Sequence, residues 1–486
     1  MQHILTDTYH PFDLCLWTFD CYTDTCYTDS YLYQKLPIGI KKSVRLERKS
    51  CFELCHPENR DPFGKRIFAA CRTFDLSLST FKLKNMQTRR KFIQNTALIT
   101  AGTIFMPAFL KACQSGGLPP MQYNGKRLIV IQFSGGNDGL NTIVPYNNDI
   151  YYQKRPQIAI PKNEVIKLSD EQGLHPALQP LQALWDEGYM NIINNVGYPN
   201  PDRSHFRSMD IWQTASASEE YLSTGWLGRY LDSTCQGCEM PHHALELDDQ
   251  LSLVLKGATR NGFAMSNPQQ LYKTVKTPIV NALVQHHHEH DHNENVAYLY
   301  KTLGATVSSA EYLFEKSKIY SSNISYPQTA LAKDLKQVAE LIIAGCDAQV
   351  YYVTLGGFDT HAGQNNRQQN LLKQYAEAVA ALVKDLKQAG VWNDTLVMTF
   401  SEFGRRVAEN GSRGTDHGTA NNLFLMSGSL QKAGFFNAAA NLTDLDEGDL
   451  KFEIDFRRIY ANILKDWLKV DDKSILSANF DSLGIL

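Results

Sequence analysis

The sequence has no long apolar run and no dominant charge. Its 486 residues are 43% hydrophobic and 20% charged. The longest mildly apolar stretch, Phe92 to Leu110, is interrupted by Gln94, Asn95, three threonines and Gly102. That is too polar for a stable membrane span, and a polytopic membrane protein is excluded. Lys+Arg 48 against Asp+Glu 51 leaves a net charge of -3, so no global basic field argues for nucleic acid. The composition equally excludes a collagen-like or wholly disordered chain. Cysteine is sparse where a disulfide scaffold would need it. Six of the ten precede Met86 (Cys15, Cys21, Cys26, Cys51, Cys55, Cys71), and no His pair follows them to complete a zinc clip. Of the others, Cys235 and Cys238 read as a short loop disulfide rather than a redox centre, and Cys346 stands alone.

What is present begins at Met86. Arg89-Arg90-Lys91-Phe92-Ile93 followed by the apolar run resembles a twin-arginine export signal, which carries folded proteins across a membrane. Leu110-Lys111-Ala112-Cys113 resembles a lipoprotein processing box, with Cys113 as the lipidated residue and Lys111 atypical within it. The expected organisation is therefore an upstream extension over 1–85 that is not part of the native protein, a signal over 86–112, a tether over 113–125 and a folded domain over 126–486. Export to the periplasm, or to a lipid anchor at the envelope, follows from this reading, with the twin-arginine machinery as a partner.

Within the domain, apolar runs alternate with helical patterns. Leu128–Phe133, Asn191–Val196, Gln349–Thr354, Thr395–Phe400 and Leu423–Met426 read as buried strands. Helices are expected near Pro176–Glu187, from Ser204, over Leu331–Ala344, Arg367–Ala389 and Asp455–Leu468. Residues 230–330 lack a sustained period and read as an irregular insertion. It includes His286–His292, taken as a solvated polar loop. Strand alternating with helix predicts an α/β fold, a mostly parallel sheet with helices on both faces. Ligands gather outside the carboxyl ends of such strands.

Each apolar run stops at a polar cluster: Asp138; Ser204 with His205; Asp359 with His361; Glu402; and Asp416 with His417. Carboxylates and imidazoles on one edge repel unless neutralised, and a divalent cation does that. Zinc takes the mixed set, whereas magnesium, manganese or calcium favours the carboxylates. The expected ligands are Asp138, Asp359, His361, Glu402, Asp416 and His417. Arg203, Arg405 and Arg406 are candidates to contact an oxyanion.

The segments Phe133–Thr142, Gly197–Phe206, Gly225–Tyr230, Gly357–Gln364, Phe400–Arg406 and Gly414–Ala420 resemble a widespread bacterial family of twin-arginine exported proteins of unknown function. That family looks distantly similar to the alkaline phosphatase and sulfatase superfamily. The resemblance implies an alkaline phosphatase-like three-layer sandwich. It places Asp138 after the first strand as a metal ligand and Ser204 at a helix N-terminus as nucleophile, with His205, Arg203 and Arg405 beside it. Where the superfamily has an Asp-His pair, this chain has Glu402-Phe403, so the imidazole is missing. No Cys or Ser before Pro-x-Arg is present, which argues against a formylglycine sulfatase. Two functions stay open: a metal-dependent hydrolase of phosphate or sulfate esters acting on an envelope or small-molecule substrate, and a non-catalytic exported binding or scaffold lipoprotein on the same fold. Carbohydrate binding through exposed Tyr and Trp has only composition behind it.

Overall fold

A computed structural model describes residues 125–234, 241–285 and 294–486. The extension, the signal with its arginine pair, Cys113, the Cys235/Cys238 pair and the histidine run lie outside these residues.

The sheet forms around β1 (Arg127–Ser134), whose residues are apolar on both sides of the pleat. Leu128 and Val130 enter one core, while Ile129, Ile131 and Phe133 enter the other. A strand buried on both faces needs a layer of helices above and below, and the next elements supply them. In chain order they are β2 (Met190–Gly197), α1 (His205–Thr214), α2 (Trp226–Thr234), β3 (Ala244–Glu246), β4 (Phe263–Ala264), α3 (Pro268–Val275), α4 (Pro278–Gln285) and α5 (Glu294–Lys316). Then follow α6 (Ala330–Ile343), β5 (Val350–Gly356), α7 (Gln364–Gln388), β6 (Thr395–Ser401), β7 (Asn421–Met426), β8 (Gly434–Phe435), β9 (Ile454–Asp455) and α8 (Phe456–Asn462).

The strand order is β8-β2-β7-β6-β1-β5-β3-β4, with β9 also paired to β2. Every pairing is parallel except those of β7, which runs antiparallel to both β2 and β6. The chain is thus an α/β domain with a mixed, mostly parallel sheet flanked by helices. Leu335 of α6 and Tyr375 and Val379 of α7 pack on one face. Trp212 of α1, Trp226 and Tyr230 of α2 and Tyr460 of α8 pack on the other. Among the described residues, no helix is long and apolar enough to cross a membrane.

Among its described residues, the segment expected to be irregular carries regular elements. It adds β3 and β4 to the edge of the sheet and contributes three helices. Strands of two and three residues are too short to show a period-two pattern, so the sequence hides them. The closing helix is also shorter than the pattern suggests, because α8 passes into a π-helical turn at Ile463–Trp467.

Register aligns the site. Phe133 is opposite both Leu355 and Ser401, and Asn421 is opposite Val196. The carboxyl ends of β1, β2, β5 and β6 therefore share one edge with the start of the antiparallel β7. Four loops meet there, because the loop leaving β6 is the one that enters β7. Gly135 lets two of them touch: its φ is +118°, and a Cβ at that position would lie 2.4 Å from the Asp359 backbone nitrogen.

Candidate metal centre

Three imidazoles and one carboxylate converge at this edge. Asp359, after β5, places Oδ1 at 3.0 Å from His361 Nε2, 3.4 Å from His417 Nε2 and 3.6 Å from His205 Nε2. His361 Nε2 and His417 Nε2 are 3.0 Å apart. The edge of a tetrahedron with metal–nitrogen bonds of zinc length is about 3.3 Å, so these spacings suit one shared cation. His205, Asp359 and His417 form a group whose ligand atoms all lie within 4.8 Å of one another. The His205 Nε2 atom is buried and has no hydrogen-bond partner.

The other ring nitrogens explain the orientation. His205 Nδ1 donates to Glu402 Oε1 at 2.8 Å. His417 Nδ1 donates to the Arg203 carbonyl at 2.8 Å. His361 Nδ1 faces Asp416 Oδ1 at 3.4 Å. Each Nδ1 meets a pure acceptor, which favours the proton there and turns Nε2 toward Asp359. Two imidazole lone pairs 3.0 Å apart repel unless a proton or a cation lies between them. Phe403, buried, packs against both His205 and His417 with ring centroids 4.8 Å away, giving the pair an apolar backing.

Charge follows from these contacts. The Asp359 carboxyl is opposed by partial burial, but the Arg405 guanidinium, His361 and His417 outweigh it and hold the group at about 2. The hydrogen bond to Glu402 raises the pKa of His205 above its ordinary value. Burial lowers that of His417. The Asn410 amide, 3.0 Å from Asp416, holds that carboxyl below the usual range.

The expected site residues thus divide. Asp359, His361 and His417 are brought together, and His205 joins them. Glu402 is not at the cluster's centre. It is buried, accepts from the Gly135 backbone nitrogen at 2.8 Å and steers His205. Asp416 sits behind His361 in the same way. Asp138 stands outside the group. Its buried carboxylate is taken by Arg155 Nη1 at 2.6 Å and by the Gln364 amide, because the chain turns into a short helix there and closes over it. Arg405 is buried and bonded to the carbonyls of Gly135, Gly136, Thr415 and Phe358 and to Asp359. With its donors occupied, it locks three loops rather than facing a substrate.

Ser204 is exposed at the N-cap of α1, and its hydroxyl makes no capping bond. Asp202 instead accepts from the Ser204 backbone nitrogen at 2.6 Å. Arg203 is paired with the buried carboxylate of Asp449, which Arg406 approaches at 3.6 Å. A cavity of about 630 Å³ opens beside the cluster, with Arg203, Glu402, Phe403, Tyr198 and Lys451 in its wall. Sequence reasoning missed Asp449, Asn410 and Arg155, since none sits in a motif and each meets its partner only through the fold.

The family model described as a protein of unknown function, DUF1501, matches residues 125–474. No curated protein matches the chain. Among solved structures, the chain is similar to the lipoteichoic acid synthase LtaP from Listeria monocytogenes (10% identity, 75% of this chain and 76% of that one, TM-score 0.31). It is similar to the PsFucS1 sulfatase from Pseudoalteromonas sp. (10%, 74% and 70%, TM-score 0.33). It is also similar to a protein in the alkaline phosphatase superfamily from Vibrio parahaemolyticus (9%, 65% and 63%, TM-score 0.29). These likenesses concern the fold alone. The chain belongs to the DUF1501 family.

Proposed function

We propose that this DUF1501 chain is a metal-dependent hydrolase of phosphate or sulfate esters, working outside the cytoplasm. The observation that carries the reading is the common arrangement of the three histidines. Each sets its Nδ1 against an acceptor behind it and turns its Nε2 toward Asp359. His361 Nε2 and His417 Nε2, 3.0 Å apart, need a proton or a cation between them.

The donor set of His205, His361, His417 and Asp359 suits zinc or another borderline divalent cation. Such a cation, when bound, polarises an ester and lowers the pKa of an adjacent hydroxyl. The chain's own residues do the rest. Glu402 and the Arg203 carbonyl fix the tautomers of His205 and His417. Arg405 keeps Asp359 ionised and aimed inward. Ser204 presents an uncommitted hydroxyl at the start of α1, where free backbone N–H groups favour an oxyanion. Arg203, pinned by Asp449, lines the neighbouring cavity.

An envelope substrate is proposed from the sequence: Arg89-Arg90 ahead of the apolar run suits the twin-arginine route, and Cys113 suits a lipid anchor. The test is hydrolysis of p-nitrophenyl phosphate, bis-p-nitrophenyl phosphate and p-nitrophenyl sulfate by chain loaded with zinc or manganese. Turnover of at least one ester that disappears in His361→Ala/His417→Ala supports the reading. A loaded chain inert on all three, with metal bound, favours the scaffold reading.

A further inference from the structure

Asp359 follows the carboxyl end of β5. At the opposite end of the same strand lies a second cluster of donors. His242 and His243 immediately precede β3, and Asp347 lies three residues before β5. β3 and β5 are neighbours, with Ala244 opposite Val350, so the two approaches meet side by side. Their ligand atoms all lie within 4.8 Å of one another. His242 Nε2 is 3.2 Å from Asp347 Oδ1, and His243 Nδ1 is 4.0 Å from Oδ2.

We propose that His242, His243 and Asp347 form a second divalent-cation site, which fastens the long helix α5 to the amino edge of the sheet. Three observations carry it. Asp347 Oδ1 is buried and receives no hydrogen bond, although His242 Nε2 is close by. An ordinary His–Asp pair would aim an N–H at that oxygen. Two donors spaced at the edge distance of a coordination polyhedron have this geometry instead. Second, the His242 side chain is only 4% exposed, and its Nδ1 is bonded to Ser309 Oγ at 3.0 Å, which frees Nε2 for a ligand. Third, α5 closes over the site from one side. Its Tyr312 stacks on His242 with centroids 4.3 Å apart, and its hydroxyl accepts from the Asp347 backbone nitrogen at 3.1 Å.

Two imidazoles and one carboxylate suit zinc, cobalt or nickel better than calcium or magnesium. The Asp347 side chain is 45% exposed, so water has access to complete the coordination. The seven residues of β5 put roughly 20 Å between this cluster and the one at Asp359. The second site therefore takes no part in ester chemistry and stands whether or not the hydrolase reading does.

The test uses the full chain carrying His286→Ser, His287→Ser, His288→Ser, His290→Ser and His292→Ser, so that the histidine run adds no metal. The protein is stripped with chelator, titrated with zinc alone, desalted and counted by elemental mass spectrometry. The expected content is two equivalents. Asp347→Asn lowers it to one, as does His361→Ala/His417→Ala, and the combined variant holds none. Zinc also raises the thermal midpoint of the His361→Ala/His417→Ala variant, and Asp347→Asn abolishes that rise. Should Asp347→Asn fail to fold, His243→Gln is read in the same way. A folded Asp347→Asn or His243→Gln variant that keeps the parent's zinc count overturns the proposal. An unchanged count in His361→Ala/His417→Ala counts against the first site instead.

Discussion

Glu402 Oε1 accepts from His205 Nδ1 at 2.8 Å, and this one bond turns the His205 ring so that Nε2 faces the Asp359 carboxylate. Glu402 is buried, so its influence on the cluster passes through His205. Conservative replacement by Glu402→Gln keeps the side chain's volume but weakens the acceptor. Zinc affinity of the first site is expected to fall by about 10- to 100-fold, with the chain still folded. Isothermal titration of zinc into the two proteins checks this. Equal affinities would show that Glu402 does not orient a ligand.

Asp138 and Arg155 are fully buried and bonded at 2.6 Å. Removing one partner leaves the other charge without compensation. Asp138→Asn is therefore expected to cost about 3–5 kcal/mol of stability while the zinc content of the folded fraction stays at the parent's value. Urea unfolding together with metal analysis separates the two effects. A stable variant lacking one zinc would restore Asp138 as a ligand.

Much of this arrangement is readable from the chain, and what is not has physical causes. The strand ends are legible because buried parallel strands are apolar throughout, so the first polar residues after Phe133, Leu355 and Phe400 must mark the edge where loops meet. The roles within the edge are less legible. A carboxylate that binds a cation and one that holds the ligand behind it have the same sequence signature, and only distance separates Asp359 from Glu402. Asp138 reads as a ligand because Arg155 lies 17 residues away in a segment with no motif. His205 is overshadowed in sequence by Ser204, although helix geometry turns the histidine inward and leaves the serine exposed. Strands β3 and β4 are invisible for want of length, and with them the partnership of His242 and Asp347.

Ser204 is exposed, and its hydroxyl makes no bond that stabilises α1. Ser204→Ala is expected to change stability by less than about 0.5 kcal/mol. Ester turnover is expected to fall by roughly 100-fold or more, through kcat rather than KM. Steady-state kinetics on zinc-loaded protein provide the check. A variant with parental kcat would assign the attack to another group.

His175 offers a pH prediction away from either cluster. Burial lowers its pKa from 6.5 to about 4, against a weaker pull from Asp138. Its Nδ1 accepts from the Ala177 backbone nitrogen at 3.0 Å, which requires the neutral ring. The unfolded chain binds this proton near pH 6.5 and the folded chain only near pH 4. Stability present above pH 6.5 is therefore lost as pH falls toward 4, by up to about 3 kcal/mol from this group. Replacement by His175→Asn, which can keep the acceptor, is expected to flatten that part of the stability curve. Denaturant midpoints at pH 7, 5.5 and 4.5 test it. Parallel curves for the two proteins would remove His175 as the source.

The central claim is that one cation belongs among His205, His361, His417 and Asp359. Anomalous diffraction at the zinc edge, from crystals of zinc-loaded protein, tests it most directly. A peak is expected about 2.0–2.2 Å from Nε2 of His205, His361 and His417 and from Asp359 Oδ1. Zinc-loaded crystals with no peak there, or with one held by Asp138 and Glu402, would contradict it.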